Sequence, residues 1–250
     1  MRVLWLLTKR AIREAMRLPE ATVPLLFIPV FFLLVNIGQF GKQFAGQPWL
    51  HGQKYGAFQL PLSLIFTGIG IGSALAMVGE IENGYFDKFL VAPIPRTMIL
   101  LGRLGADFLR NIVISAIVLG IGLGIGVRVR SGVAGAALVV LLCALFGTAY
   151  GSSAILVALR TRNTQAVNMA SLVFFPLIFL APTGVPRENM QGWLRVATRF
   201  NPVTYVIEGI RSLILDGWDG QRLFACLLTI GISTVVLLGL SVRAMRTYDS

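Results

Sequence analysis

Six apolar runs of about membrane length divide this chain, and they restrict the folds that it can adopt. They lie near residues 21–40, 58–78, 108–127, 133–158, 164–181 and 223–242, and the fifth is the shortest and begins with polar residues. A helix needs about 20 apolar residues to cross ~30 Å of hydrocarbon. The sequence therefore predicts an all-α, polytopic membrane protein, a single domain over residues 1–250 with six transmembrane helices.

The composition agrees with this class. The chain is 56% hydrophobic and only 13% charged, whereas soluble proteins carry about 25% charged residues. Its net charge is +11, but the basic residues sit between apolar runs, as they do in cytoplasmic loops. The charge therefore indicates contact with anionic lipid headgroups rather than nucleic acid. Cys143 and Cys226 fall within apolar runs and are predicted to be buried free thiols.

The distribution of basic residues predicts the orientation. Five positive charges precede the first run, and only Lys42 and Lys54 follow it before the second run. The positive-inside rule then puts the N-terminus in the cytoplasm. Six spans put the C-terminus on the same side, together with the loops 79–107 and 159–163.

The first residues form an amphipathic pattern. Within VLWLLTKRAIREAMRL, leucine and alanine mark one helical face and four basic residues mark another, before Pro19 ends the helix. We expect this helix to lie in the headgroup layer, with its basic face on anionic lipid. A cytosolic leader without a role is the alternative.

The segment at residues 80–103, EIENGYFDKFLVAPIPRTMILLGR, is the longest charged interruption in the first half of the chain. Pro93 and Pro95 end any helix there, because proline has no amide donor and clashes with the preceding turn. The pattern predicts a short amphipathic helix, a proline elbow and a second helix start. Such a segment between two spans lies at the membrane face and offers a surface to a partner outside the bilayer.

The segment at residues 182–222 is too long for a tight turn and too apolar for a hydrophilic loop. Asn201 and Pro202 are typical of a helix N-cap followed by a first-turn proline. The predicted helix ends at Asp216, and its Glu208 and Arg211, three residues apart, could form an ion pair. We interpret the segment as two short re-entrant helices, with an amphipathic surface helix as the alternative.

Glycines recur within the runs, at residues 68–72, 120–126, 147 and 151. Small residues four apart let helix backbones approach closely, so we expect packing within the chain, or else a contact between protomers. None of these glycines belongs to a Rossmann fingerprint or to a phosphate-binding loop.

Catalytic patterns are lacking in the sequence. The single histidine, His51, lies in a predicted loop far from any serine on a run, and no cluster has metal-ligand spacing. The six runs carry no Asp, Glu, Lys or His near their centres, and such residues usually build proton and ion relays. We therefore expect no catalytic site, no cofactor and no metal on this chain, and no ion-coupled transport through it.

Taken together, the segments at 80–103 and 182–222 make the chain resemble the type-2 ABC transporter permeases. Within that family it is similar to the daunorubicin-permease kind of drug and lipid exporter, and the whole length fits. The resemblance implies that the first segment is a coupling helix that docks on a separate ATPase. The residues that match its pattern are Glu80, Glu82, Gly84, Leu90, Pro93 and Arg96, whereas Tyr85 replaces a usual threonine. Asn201, Pro202, Glu208 and Arg211 match the second motif.

The resemblance also implies the partners and the reaction. ATP and Mg would bind to the ATPase subunit, and a second permease copy or a sister permease would complete a dimer. The pair would export an amphipathic drug or lipid-like substrate across a bacterial cell membrane, with the re-entrant helices as an outer gate. An ATP-independent channel or scaffold subunit is the alternative from another class, and an intramembrane enzyme is the third.

Overall fold

The computed structural model describes Thr8, residues 19–91 and residues 95–248. Within these residues the chain is helical and has no strand, which confirms the all-α class. The predicted N-terminal interfacial helix and Pro93 lie outside the described residues, apart from Thr8.

The described helices follow one another with short connections. They are α1 (Pro19–Phe40), α2 (Tyr55–Phe66), α3 (Gly72–Glu82), α4 (Tyr85–Val91), α5 (Arg96–Gly124), α6 (Gly132–Thr161), α7 (Thr164–Leu172), α8 (Phe174–Phe179), α9 (Gly192–Phe200), α10 (Pro202–Leu215) and α11 (Gly220–Arg246), with 3-10 turns at Pro48–Leu50 and Arg187–Asn189.

Three of these helices, α5, α6 and α11, are long and apolar enough to cross a membrane. They correspond to the third, fourth and sixth predicted runs, although α5 begins at Arg96 rather than near residue 108. The remaining runs form shorter apolar helices, Leu25–Phe40, Tyr55–Phe66 and Thr164–Phe179. The helices support a membrane protein, and six complete crossings remain a prediction.

The second predicted run is not one continuous helix, which corrects the expectation for residues 58–78. Helix α2 ends at Phe66 and α3 begins at Gly72. The interruption contains Gly68 and Gly70 of GIGIG, and at Gly68 the backbone passes very close to α6. A Cβ atom added to Gly68 would lie 2.9 Å from the Cα of Gly147. The predicted packing of glycines within the chain is confirmed at this contact.

The fifth run is interrupted as well, between α7 and α8. The amide of Val173 bonds to the carbonyl of Ala170 rather than continuing the α-helical pattern. Pro176 lies in the first turn of α8, where its missing amide hydrogen costs little. The interruption between α7 and α8 therefore places Pro176 in a first turn, where it costs little stability.

Buried side chains form two clusters, one toward each end of the helix bundle. One contains Phe58, Leu142 and Ile210 and joins α2, α6 and α10. The other contains Phe86 and Met245 and joins α3, α4, α5, α6 and α11. We call the end that holds α4 the coupling end, after the coupling segment predicted there, and the end that holds α9 and α10 the lid end, after the predicted outer gate.

Candidate functional site

Helix α4 confirms the short amphipathic helix predicted in the segment at residues 80–103. Gly84 connects α3 to α4 with a φ of 66°, a conformation that glycine adopts without strain. Phe86 is fully buried, whereas Tyr85 is 42% and Val91 87% exposed. One face of α4 thus anchors in the coupling end, and the other presents a surface to solvent.

The predicted coupling residues divide between this surface and the interior. Glu82 is exposed at the end of α3, whereas Glu80 is buried and forms an ion pair with the buried Arg103 of α5. A second nitrogen of Arg103 donates to the carbonyl of Ser73, at 3.4 Å. Glu80 therefore joins α3 to α5, and its carboxylate does not face the solvent.

Arg96 joins the start of α5 to the C-terminal tail. Its Nη1 donates to the carbonyl oxygen of Tyr248, at 2.8 Å. The Tyr248 ring packs edge-on against Phe86 of α4, with centroids 5.2 Å apart. The Arg162 guanidinium covers the same ring at 4.4 Å. These contacts hold α4 against the ends of α5, α6 and α11.

Two further predicted coupling residues have no described side chain. Leu90 belongs to the last turn of α4 and its side chain is not described, and Pro93 lies outside the described residues. Their roles stay predictions.

A row of charged side chains on α5 leads from the coupling end toward the break between α2 and α3. Arg103, Asp107 and Arg110 share one helical face, and Asp107 pairs with Arg110 at 2.8 Å. The Arg110 guanidinium lies against Gly72, where an added Cβ atom would come within 2.9 Å of Nη1. The row connects Glu80 to the interrupted helix.

The sequence does not predict this row, because the third apolar run begins near residue 108 and leaves Arg103 and Asp107 outside it. Helix α5 covers residues 96–124, so its middle falls at Arg110, and Asp107 is 3% exposed. The expectation that no carboxylate lies near the centre of a run does not hold for α5. The spacing of residues 103, 107 and 110, typical of one helix face, is the signal that could have revealed it.

An apolar cavity lies beside the interruption between α2 and α3. Its volume is ≈ 320 Å³, and Leu25, Pro29, Phe66, Leu75 and Phe175 are among its lining residues. Its walls are apolar side chains and the backbone of the interruption.

At the lid end, Asn201 and Pro202 form the predicted helix start. The Asn201 side chain accepts a hydrogen bond from the amide of Val203 at 3.0 Å, and Pro202 is the first residue of α10. The Asn201 amide group also donates to the carbonyl of Leu177 at 2.5 Å. The cap therefore fastens α10 to α8 as well as starting it.

Arg211 forms the junction between α10 and two other segments. It is buried, donates to the carbonyl of Pro182 at 2.8 Å and lies 3.6 Å above the Phe58 ring. Burial lowers the pKa of Arg211 to about 9, and the Glu208 carboxylate opposes this shift. Arg211 thus remains charged at neutral pH. Among the described residues it makes no direct ion pair with Glu208, although their spacing allows one.

The loop between α5 and α6 holds the C-terminal end of α10. The amide and hydroxyl of Ser131 both donate to the carbonyl of Leu213, at 3.2 and 2.8 Å. The Arg130 amide and the Gln53 side chain both donate to the carbonyl of Ile214. These bonds satisfy carbonyl groups that a helix end leaves without partners, so α10 is fixed at both ends.

Replacing Arg211 by lysine is expected to destabilise the protein by about 1.5–3 kcal/mol. A lysine keeps the charge but cannot stack a planar group on Phe58 while donating to Pro182, and buried hydrogen bonds to charged groups contribute this much. The melting temperature in detergent measures the effect. Arg222→Lys is the control, since Arg222 forms partly exposed ion pairs with Asp216 and Asp219 that contribute little. Equal melting temperatures for the two variants would contradict a stabilising role of the contacts that Arg211 makes with Phe58 and Pro182.

Both cysteines, Cys143 and Cys226, are free and buried, as predicted. Among the described residues, no three His, Cys, Asp or Glu side chains lie close enough together to hold a metal ion.

Comparison with known proteins identifies the family. A family model described as ABC-2 type transporter matches residues 2–215. The daunorubicin resistance ABC transporter permease protein DrrB1 of Streptomyces coeruleorubidus is 26% identical over 216 residues, covering 82% of this chain and 72% of the relative. The probable doxorubicin resistance ABC transporter permease protein DrrC of Mycobacterium tuberculosis is 27% identical over 174 residues, covering 69% of this chain and 63% of the relative.

A third relative is also named as a permease. The putative transport permease ycf38 of Cyanophora paradoxa is 25% identical over 226 residues, covering 84% of this chain and 73% of the relative. The family model covers far more than half of the chain, and these relatives are all named as permeases. The chain therefore belongs to the ABC-2 type transporter family of membrane permeases.

Proposed function

We propose that this chain is the membrane subunit of an ATP-driven exporter that moves an amphipathic drug or lipid-like substrate out of the cytoplasm or inner leaflet. The main support is the family match over residues 2–215, together with relatives named for resistance to daunorubicin and doxorubicin. The ATPase that hydrolyses ATP with Mg is a separate polypeptide, so this chain has no catalytic site.

The exposed face of α4 is the surface on which the ATPase docks. It carries Tyr85, Asp87 and Val91, and Glu82 precedes it on the same exposed end. In this proposal Leu90 and Pro93, which match the coupling pattern of the family, also contact the ATPase. Val91 is almost fully exposed. Covering such an apolar side chain with a partner lowers the free energy of the complex.

Glu80 and Arg96 act as positioning residues in this proposal. Glu80 bonds to Arg103, and Arg96 bonds to the C-terminal tail, so neither needs to touch the ATPase. Their contacts make α4 move together with the ends of α3 and α5. Packed elements of this kind transmit a displacement as rigid bodies, which carries the motion of the ATPase into the membrane domain.

The interrupted helix is the element that responds to this motion. Arg110 lies against the glycines between α2 and α3, and the apolar cavity of ≈ 320 Å³ adjoins the same residues. A shift of the charged row on α5 changes the shape of this cavity. We propose that the cavity takes up apolar parts of the substrate before release between two permease copies.

The lid end closes the path on the far side of the membrane. Asn201, Pro202, Glu208 and Arg211 belong to α10 and its cap, which the loops hold at both ends. In this proposal α10 is the outer gate, and the termini with α4 face the bacterial cytoplasm. The two permease copies are identical or sisters.

Co-expression with a candidate ATPase subunit tests the proposal. The two chains are expected to co-purify, and substrate in a lipid bilayer is expected to stimulate hydrolysis. A chain that moves solute without a nucleotide-hydrolysing partner would instead be an ATP-independent channel or scaffold, and the proposal would be wrong.

Reversing the charge of Glu82 tests the docking surface. Glu82→Lys is expected to reduce substrate-stimulated hydrolysis about 10-fold or more, because like charges across an interface cost several kcal/mol, while the permease itself still folds. Glu188→Lys is the matched control, since Glu188 is exposed at the lid end. Stimulated hydrolysis that is unchanged by Glu82→Lys would exclude Glu82 from the interface.

A further inference from the structure

Helix α9 has three faces with different surroundings. Trp193, Val196 and Phe200 lie within a narrow arc of the helix, since successive residues are about 100° apart, and they are 73%, 53% and 83% exposed. Thr198 lies on a second face and is fully buried against the protein. The third face carries the exposed Arg195 and Arg199.

The helix is held to the fold by one side only. The Thr198 hydroxyl bonds within α9, to the carbonyl of Arg195. The hydroxyl of Tyr205 on α10 donates to the carbonyl of Arg199 at 2.7 Å. These contacts fix the orientation of α9, and the side chains of its aromatic face and its arginine face are exposed.

We propose that α9 is an interfacial anchor that binds the anionic lipid headgroups of the leaflet at the lid end. Helices that lie in the headgroup layer typically carry tryptophan and phenylalanine on one face and arginine on the face beside it. The exposed aromatic face of α9 would enter the upper acyl region, and Arg195 and Arg199 would reach the phosphates. This role requires only that the chain is a membrane protein, and it does not depend on the proposed function.

Charge complementarity favours lipid over a second copy of the chain as the occupant. Residues 182–200 contain three arginines and one glutamate, and neither Arg195 nor Arg199 forms an ion pair with a described carboxylate. Two copies meeting through this helix would bring like charges together. The helix has nine residues and is about 13 Å long, which is short for a stable protein interface but sufficient to seat two aromatic side chains in a bilayer.

The exposure of α9 also distinguishes this role from that of a re-entrant helix. A re-entrant helix must be covered by protein where it enters the hydrocarbon. The 83% exposure of Phe200, the last residue of α9, leaves that end open. An amphipathic surface helix, the alternative to re-entrant helices in the segment at residues 182–222, therefore fits α9, whereas most residues of α10 are buried.

Tryptophan fluorescence in bilayers of known composition tests the proposal. The protein has four tryptophans, so replacing Trp5, Trp49 and Trp218 by phenylalanine leaves Trp193 as the single reporter. The protein is placed in nanodiscs of phosphatidylcholine, with or without phosphatidylglycerol, that carry bromine at known depths. We expect the strongest quenching from bromine near the headgroup, and stronger quenching still when the brominated lipid is phosphatidylglycerol.

The arginines are tested in the same protein. Arg195→Gln with Arg199→Gln is expected to reduce the preference for brominated phosphatidylglycerol by at least about fivefold, since one basic residue near an anionic surface contributes about that factor. Arg128→Gln, at another exposed arginine of the lid end, is expected to leave the preference unchanged. A protein that keeps Trp49 as its only tryptophan is the control, because the Trp49 ring packs against Phe58.

Three results would overturn the proposal. Absence of quenching at Trp193 would mean that the aromatic face does not contact lipid, and cross-linking between cysteines introduced at position 193 would then identify a second copy on that face. Strongest quenching by bromine near the ends of the acyl chains would show a deep re-entrant position. Equal quenching by phosphatidylglycerol and phosphatidylcholine would exclude recognition of anionic headgroups. The quenching of Trp193 in the protein that keeps Arg195 and Arg199 does not depend on whether the arginine variants fold.

Discussion

Glu80→Ala is expected to lower the free energy of unfolding by about 3–5 kcal/mol, because removing one partner leaves the other charge buried and unpaired. Arg103 is 7% exposed, so water cannot replace the lost carboxylate without opening the contact between α3 and α5. The remaining bond from Arg103 to the Ser73 carbonyl is long, at 3.4 Å. Unfolding in detergent, followed by the loss of helical signal, measures the effect.

Two further variants separate the charge from the packing. Glu80→Met with Arg103→Met removes both charges and keeps apolar volume, and replacing a buried ion pair in this way is often neutral or stabilising. We expect the double variant to recover most of the lost stability. Glu82→Ala, two residues away and exposed, is expected to change the stability by less than about 0.5 kcal/mol. A loss in Glu80→Ala no larger than in Glu82→Ala would show that the pair does not hold the coupling end together.

Much of the fold follows from local signals in the sequence. Pro19 begins α1, Asn201 caps α10 and Gly84 separates α3 from α4, because each residue has a backbone or capping property that acts within a few residues. The long apolar runs similarly predict α6 and α11 to within a few residues. These signals are local, so one sequence is enough to interpret them.

The contacts that organise the coupling end depend on distant parts of the chain. Nothing near Tyr248 indicates that it meets Phe86 and Arg162, and nothing near Glu80 indicates Arg103 as its partner. In one sequence a charge beside an apolar run therefore indicates a boundary of that run. For the same reason the sequence predicts one helix over residues 58–78, since the interruption depends on the approach of α6 at Gly147.

Gly147→Ala is expected to destabilise the protein by about 1–3 kcal/mol, the usual cost of extra volume in a packed interior. An added Cβ atom would lie 2.8 Å from the Cα of Gly68, and a backbone atom cannot rotate away as a side chain can. Helix α6 must then separate from the interruption between α2 and α3. Gly120→Ala is the control, since nothing lies within 4 Å of a Cβ atom there, and it is expected to be neutral or to stabilise α5 by up to ~1 kcal/mol.

A double-mutant cycle tests whether the two glycines act as one contact. Gly68→Ala alone is also expected to destabilise, because its Cβ atom would lie 2.9 Å from the Cα of Gly147. Each change separates the same two backbones, so the second should cost less once the first has been made. The melting temperatures of both single variants and the double variant measure this coupling. Strictly additive losses would mean that the two glycines contribute separately and that α6 does not rest on the interruption, which would also remove the physical basis for moving that interruption through the membrane domain.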